Sequence, residues 1–131
     1  MLNRLFRSRP KGIGWKQFDL EFTISEKDQI EKFIAKSTNS RIKDIMALGE
    51  KGDNKVFRLI QFAILYDSDK NVKFAALKRV HNFKEHPDLT PMLTEMKEQE
   101  KWNQFEPYFS MALKRVGIIT FKEFEKKITT G

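Results

Sequence analysis

Hydrophobic and polar residues alternate from Trp15 onward, with Phe18, Leu20, Phe22 and Ile24 on one side and Asp19, Glu21 and Thr23 on the other. A two-residue period describes an extended, half-buried segment. No second stretch alternates as cleanly, and a lone strand cannot satisfy its own hydrogen-bonding ladder. Residues 15–24 therefore lie across helices as a lid or distorted first helix, or pair with their copy in another subunit. The second alternative makes this segment the candidate homo-oligomer contact.

Everything beyond Ile24 has helical spacing. Ser25 is a suitable N-cap with Asp28 in the first turn, followed by Ile30, Phe33 and Ile34. Asn39 or Ser40 starts a second helix carrying Ile42, Ile45, Met46 and Leu48, with Gly49 as its left-handed stop. A Gly52-Asp53-Asn54 turn leads to a helix from Lys55 to about Tyr66 that is apolar nearly all round, the pattern of a helix buried on more than one side. Asp67-Ser68-Asp69 turns the chain into a helix over residues 71–83. After the His86-Pro87-Asp88 break another helix begins near Leu89, with Pro91 tolerated in its first turn. The following helix starts near Pro107 and ends at Gly117, and Thr120 with Glu123 forms a capping box for a last short helix. Upstream, Pro10, Gly12 and Gly14 interrupt any helix. Residues 1–14 are thus expected to be a basic flexible tail, and residues 15–131 a single helical-repeat domain.

Ala76-Leu77-Lys78-Arg79-Val80 recurs letter for letter as Ala112-Leu113-Lys114-Arg115-Val116, 36 residues later. Each copy ends the second helix of a hairpin, and the offset falls in the range of about 33 to 47 residues typical of helical solenoid units. At helical spacing Val72, Ala76, Val80 and Phe83 form one stripe, matched by Phe105, Phe109, Ala112 and Val116. Asp69, Val72, Lys73, Ala76 and Leu77 stand where a HEAT repeat has its turn aspartate, its valine, its basic residue, its alanine and its aliphatic. The chain resembles that family most clearly over residues 55–84 and less over 88–117, where the turn aspartate is missing. The resemblance implies an all-α fold, a short HEAT-like α-solenoid of about three helical hairpins. It also implies a concave surface for a macromolecule, usually protein and occasionally nucleic acid.

Composition narrows the chemistry. The absence of cysteine excludes disulfides, zinc-thiolate and iron–sulfur sites and a thiol nucleophile. No run approaches the roughly 18 apolar residues of a membrane helix, and the first residues lack a signal-peptide core. The sequence therefore reads as cytoplasmic. Of the net charge of +7, residues 1–18 supply five basic residues and no acid, so the remaining chain carries only +2. His81 and His86 are five apart across a helix break and do not share a metal-binding face. Gly12 and Gly14 precede an extended segment, whereas a dinucleotide loop follows a strand and opens a helix. Asp67 and Asp69 read as a solvated turn pair with nothing apolar around them. No catalytic constellation and no cofactor site are expected.

Binding remains. Lys78 and Lys114 point away from the core stripes, Arg79 and Arg115 lie on their flanks, and Lys73 adds charge beside the first copy. Trp102 sits in a highly charged stretch, where an indole either folds onto the core or anchors an interface. The sequence thus predicts a non-catalytic macromolecule-binding module, an adaptor or immunity-type protein whose partner is another protein. The alternative is a binder of nucleic-acid phosphates through the Lys/Arg ridge.

Overall fold

The computed structural model describes Trp15, Phe18 and residues 20–130, excepting the side chains of 128–130. The basic stretch 1–14 lies outside the described residues. The helices are α1 (Ile24–Ile34), α2 (Thr38–Lys51), α3 (Phe57–Tyr66), α4 (Lys70–Arg79), α5 (Leu89–Lys97), α6 (Tyr108–Arg115) and α7 (Phe121–Thr130). Short 3-10 turns cover Asn54–Val56, Val80–Phe83 and Glu100–Phe105. Among the described residues there is no strand.

Local chemistry sets the boundaries. Thr23 rather than Ser25 caps α1: its hydroxyl accepts from the Glu26 N–H at 3.1 Å, and Glu26 returns a bond to the Thr23 N–H at 2.8 Å. This capping box takes Ile24 out of the extended segment and leaves it 87% exposed as the first helical residue. The aromatic rings ahead of it fold onto their own chain. Phe18 meets Phe62 at 5.5 Å and Tyr66 at 4.4 Å, Phe22 meets Phe62 at 6.3 Å, and Trp15 lies against both Phe18 and Phe22. Among the described residues, Trp15, Phe18 and Phe22 thus gather over α3.

Gly49 does not end α2, which runs two residues further to a left-handed cap at Gly52, φ 67°. Gly49 sits inside the helix because α4 crosses there. A Cβ at this position would stand 2.7 Å from Arg79 Cβ, closer than two carbons approach. The same crossing is held by Asn82 Nδ2, which donates to the Gly49 carbonyl at 2.9 Å.

Helix α4 occupies the middle of the core, packing on α2, α3 and α6, while α1 packs on α3 and α7 on α6. Val72, Ala76, Val80 and Phe83 are all buried, as are Phe105, Phe109 and Ala112 of the second stripe, with Val116 partly so. The two Ala-Leu pairs are buried alike, and alanine at both positions lets neighbouring helices approach closely. α3 is apolar all round for the reason its sequence suggests: every residue from Leu59 to Ile64 is buried, Gln61 included.

One polar contact crosses this core. Arg41 of α2 meets Asp67, the residue that ends α3, through Nε to Oδ2 at 3.0 Å and Nη2 to Oδ1 at 3.2 Å. Both side chains are nearly inaccessible. Nη1 of the same guanidinium donates to the Lys36 carbonyl at 2.8 Å, and Asp67 Oδ1 also accepts the Asp69 N–H at 2.8 Å. Asp67 is therefore not a solvated turn residue. It anchors the α3–α4 turn to α2, with a bidentate partner 26 residues away in sequence.

Removing one member of such a pair strands the other charge in the core, at a cost of about 3–5 kcal/mol. Arg41→Met and Asp67→Asn should each lower the guanidinium unfolding free energy by about that amount. The double change Arg41→Met with Asp67→Leu should cost less than the two single changes added together.

Candidate functional site

The site is built on the outer face of α4. Lys70, Phe74 and Lys78 follow each other at four-residue spacing and so share one face. Asp69 starts the helix by accepting the Asn71 and Val72 N–H groups at 2.8 and 3.2 Å. Phe74 then meets two rings from the next hairpin, Phe105 at 4.8 Å and Tyr108 at 5.7 Å, and Phe105 continues to Trp102 at 5.6 Å.

Ammonium groups stand over these rings. Lys78 is 4.6 Å from the Tyr108 centroid, Lys70 is 5.9 Å from Phe74 and from Phe105, and Lys73 and Lys101 are each 5.3 Å from Trp102. On α6, Lys114 makes a similar contact, 5.4 Å from Phe121 and 5.8 Å from Phe124. The two identical pentapeptides thus each set their lysine over an aromatic ring of a later helix, Lys78 of α4 over Tyr108 of α6 and Lys114 of α6 over Phe121 and Phe124 of α7. Each exposed contact of this kind contributes roughly 0.5–1 kcal/mol. Its larger effect is to line up cations and rings along one surface.

Two hollows open beside this strip, and no acidic residue lines either. The first is a groove of about 320 Å³ between α2, α4 and α6, walled by Ile42, Met46, Phe74 and Tyr108 with Lys78 and Arg79 at its edge. The second, about 220 Å³, lies at the start of α4, where Lys70, Lys73 and Lys101 surround Trp102 and Phe105.

The residues singled out by sequence do not form one ridge. Lys78 and Arg79 border the groove, whereas Lys73 and Trp102 belong to the second pocket. Arg79 is committed to internal contacts, with Nε on Glu50 Oε2 at 3.0 Å and Nη1 on the Ala75 carbonyl at 3.2 Å. Arg115 is exposed on the flank beside His81, and Lys114 is half-buried against α7. Lys73 is half-buried too, donating to the Ile64 and Leu65 carbonyls at 3.0 and 3.2 Å, so that it caps the end of α3. Trp102 is 2% exposed and its indole N–H donates to Gln99 Oε1 at 2.8 Å. It is a core residue, not a protruding anchor.

Three participants were not visible in the pattern. Met46 and Ile42 look like the inward face of α2, yet Met46 is 41% exposed and Ile42 only partly buried. An apolar arc wider than one helix face was the signal available. Lys101 gains its meaning only when the 3-10 turn Glu100–Phe105 brings it to the α4 lysines.

The histidines have separate, local surroundings. His86 stacks on Phe57 at 4.1 Å and accepts the Asp88 N–H at 3.1 Å, a turn-forming role. His81 Nδ1 is buried without a hydrogen-bond partner. Burial, and then the charges of Arg115 and Lys84, hold its pKa below the ordinary value, while Glu50 acts in the opposite sense. Among the described residues, no group of three or more His, Asp or Glu side chains is arranged to hold a metal ion, and no helix is long and apolar enough to cross a membrane. Comparison with known proteins finds no family model, curated protein or solved structure that matches the chain.

Because folding lowers the His81 pKa, the unfolded chain takes up this proton more readily than the folded one. The His81 contribution to stability is complete above its unfolded value, about 6.5, and declines as the pH falls through it. Guanidinium midpoints measured from pH 7.5 down to 5 should fall less steeply for His81→Gln than for the parent. Trp102→Ala should cost about 3–5 kcal/mol in the same unfolding assay at pH 7.5, the penalty of emptying a buried aromatic site.

Proposed function

We propose that the chain is a non-catalytic macromolecule-binding module, a short HEAT-like α-solenoid that takes an acidic protein segment in the groove between α2, α4 and α6. The solenoid reading draws support from the succession of α2, α4 and α6, each packed on the next, and from the recurring pentapeptide at the ends of α4 and α6. The observation that carries the functional reading is the groove lining. Met46, Ile42, Phe74 and Tyr108 offer an apolar floor, Lys78 stands at its edge, and no carboxylate lines it.

An amphipathic helix fits such a floor through apolar residues spaced at i, i+4 and i+7, with an acidic residue falling against Lys78. Charge complementarity of that kind speeds association and sets the orientation of the partner. An apolar floor favours protein over a phosphate backbone, which seeks cations and leaves apolar rings unused unless bases stack on them. Arg79, already engaged by Glu50, has little left to offer a phosphate.

The test is a titration of the full chain with a labelled, Glu-rich amphipathic helical peptide and with its Lys-rich counterpart. The acidic peptide should bind and the basic one should not. Met46→Glu and Lys78→Glu should each weaken binding at least tenfold while the far-ultraviolet circular dichroism stays unchanged. Acidic-peptide binding that is indifferent to both substitutions, or absent, overturns the reading. Labelled duplex and single-stranded DNA provide the competing outcome: affinity that drops by about 0.9 log unit per log unit of salt for each duplex phosphate contacted, and is lost in Lys78→Glu, would replace protein with nucleic acid.

A further inference from the structure

At the first turn of α4 three ammonium groups close on one aromatic wall. Lys73 and Lys101 each lie 5.3 Å from the Trp102 centroid, and Lys70 lies 5.9 Å from Phe105, the ring beside it. All three line the same hollow, and none of its lining residues is acidic. Asp67, the acid that acts on Lys73, is buried and already spans Arg41. Asp67 offsets Lys73 in part, and no acid lining the hollow offsets Lys70 and Lys101.

We infer that this pocket is a receptor for a phosphomonoester dianion. A single carboxylate would leave most of the positive charge unmatched, whereas a phosphomonoester brings close to two negative charges and three acceptor oxygens. Lysine suits this role as a point charge with three donors. Lys73 spends two of its donors on the Ile64 and Leu65 carbonyls, which fixes the ammonium and leaves one donor. Lys70 and Lys101 are exposed and can adjust to the anion. The Ser68 hydroxyl stands at the rim as a neutral donor.

Size agrees with charge. The hollow of about 220 Å³ accommodates a tetrahedral anion with part of its hydration. Trp102 and Phe105 keep water from one side, so the ammonium groups act through a lower dielectric than they would on an open surface. Burial pushes the Lys73 pKa down, Asp67 opposes this and Lys101 adds a smaller lowering, and a bound dianion would act in the same sense as Asp67.

The inference stands apart from the peptide groove, because it uses other side chains and a different probe. Trp15→Phe leaves Trp102 as the sole tryptophan, and its emission then reports on this pocket alone. Titration with inorganic phosphate, against sodium chloride at equal ionic strength, should give a saturable change for phosphate only. Lys70→Gln with Lys101→Gln should weaken that response at least tenfold. This pair spares Lys73 and its bonds to α3, and unchanged circular dichroism and melting temperature would establish that the fold persists. A response identical in chloride, or one retained in the double variant, overturns the proposal. Phenyl phosphate and a phosphoserine peptide then separate the sources. Tighter binding of the peptide assigns a phosphorylated partner, and equal binding assigns a free phosphomonoester; both keep the receptor.

Discussion

A charged pair inside a helical core has one tolerable arrangement, and the Arg41–Asp67 contact shows what that demands. The guanidinium must be matched on both of its faces toward the carboxylate, and the remaining lone pairs and donors must be filled by backbone. These requirements are met only when α2 lies against the α3–α4 turn in one register. Apolar packing alone would tolerate small slides of one helix along another; a buried bidentate pair does not. The position of α4, and with it the row of lysines and rings along its outer face, follows from that register.

The same helix carries two assignments on opposite sides. Inward, Val72 and Ala76 fill the core with small and branched groups. Outward, Lys70, Phe74 and Lys78 face the next hairpin and solvent. Lys73 belongs to both sides, since its ammonium closes the carbonyl end of α3 and also lies over Trp102. Charge at the second hollow is thereby tied to the joint between α3 and α4.

Much of this was legible in the residue pattern because it is local. The apolar surround of α3, the start of α5 at Leu89 and the Thr120–Glu123 capping box depend on neighbours within a turn or two, and they stand where spacing put them. The misplacements share another cause, competition from something distant or from a better local cap. Gly49 looked like a helix stop and is a crossing point, because Arg79 comes from thirty residues away. Asp67 looked solvated because Arg41 is remote in sequence. Thr23 outcompeted Ser25 once Glu26 could close the reciprocal bond. Within the candidate site, the lysines of the repeated pentapeptide were visible, whereas their pairing with rings on other helices was not, since no periodicity along one helix encodes its neighbour.

The Gly49 crossing also constrains how the protein can change. The atom that a side chain at 49 would strike is Arg79 Cβ, which every amino acid except glycine carries. Shortening residue 79 to anything but glycine therefore gives no relief, and a side chain at 49 must be absorbed by spreading α2 from α4 at the crossing that the Asn82 bond holds. The tolerance of position 49 is thus set by the backbone spacing of two helices and not by the length of the side chain that faces it.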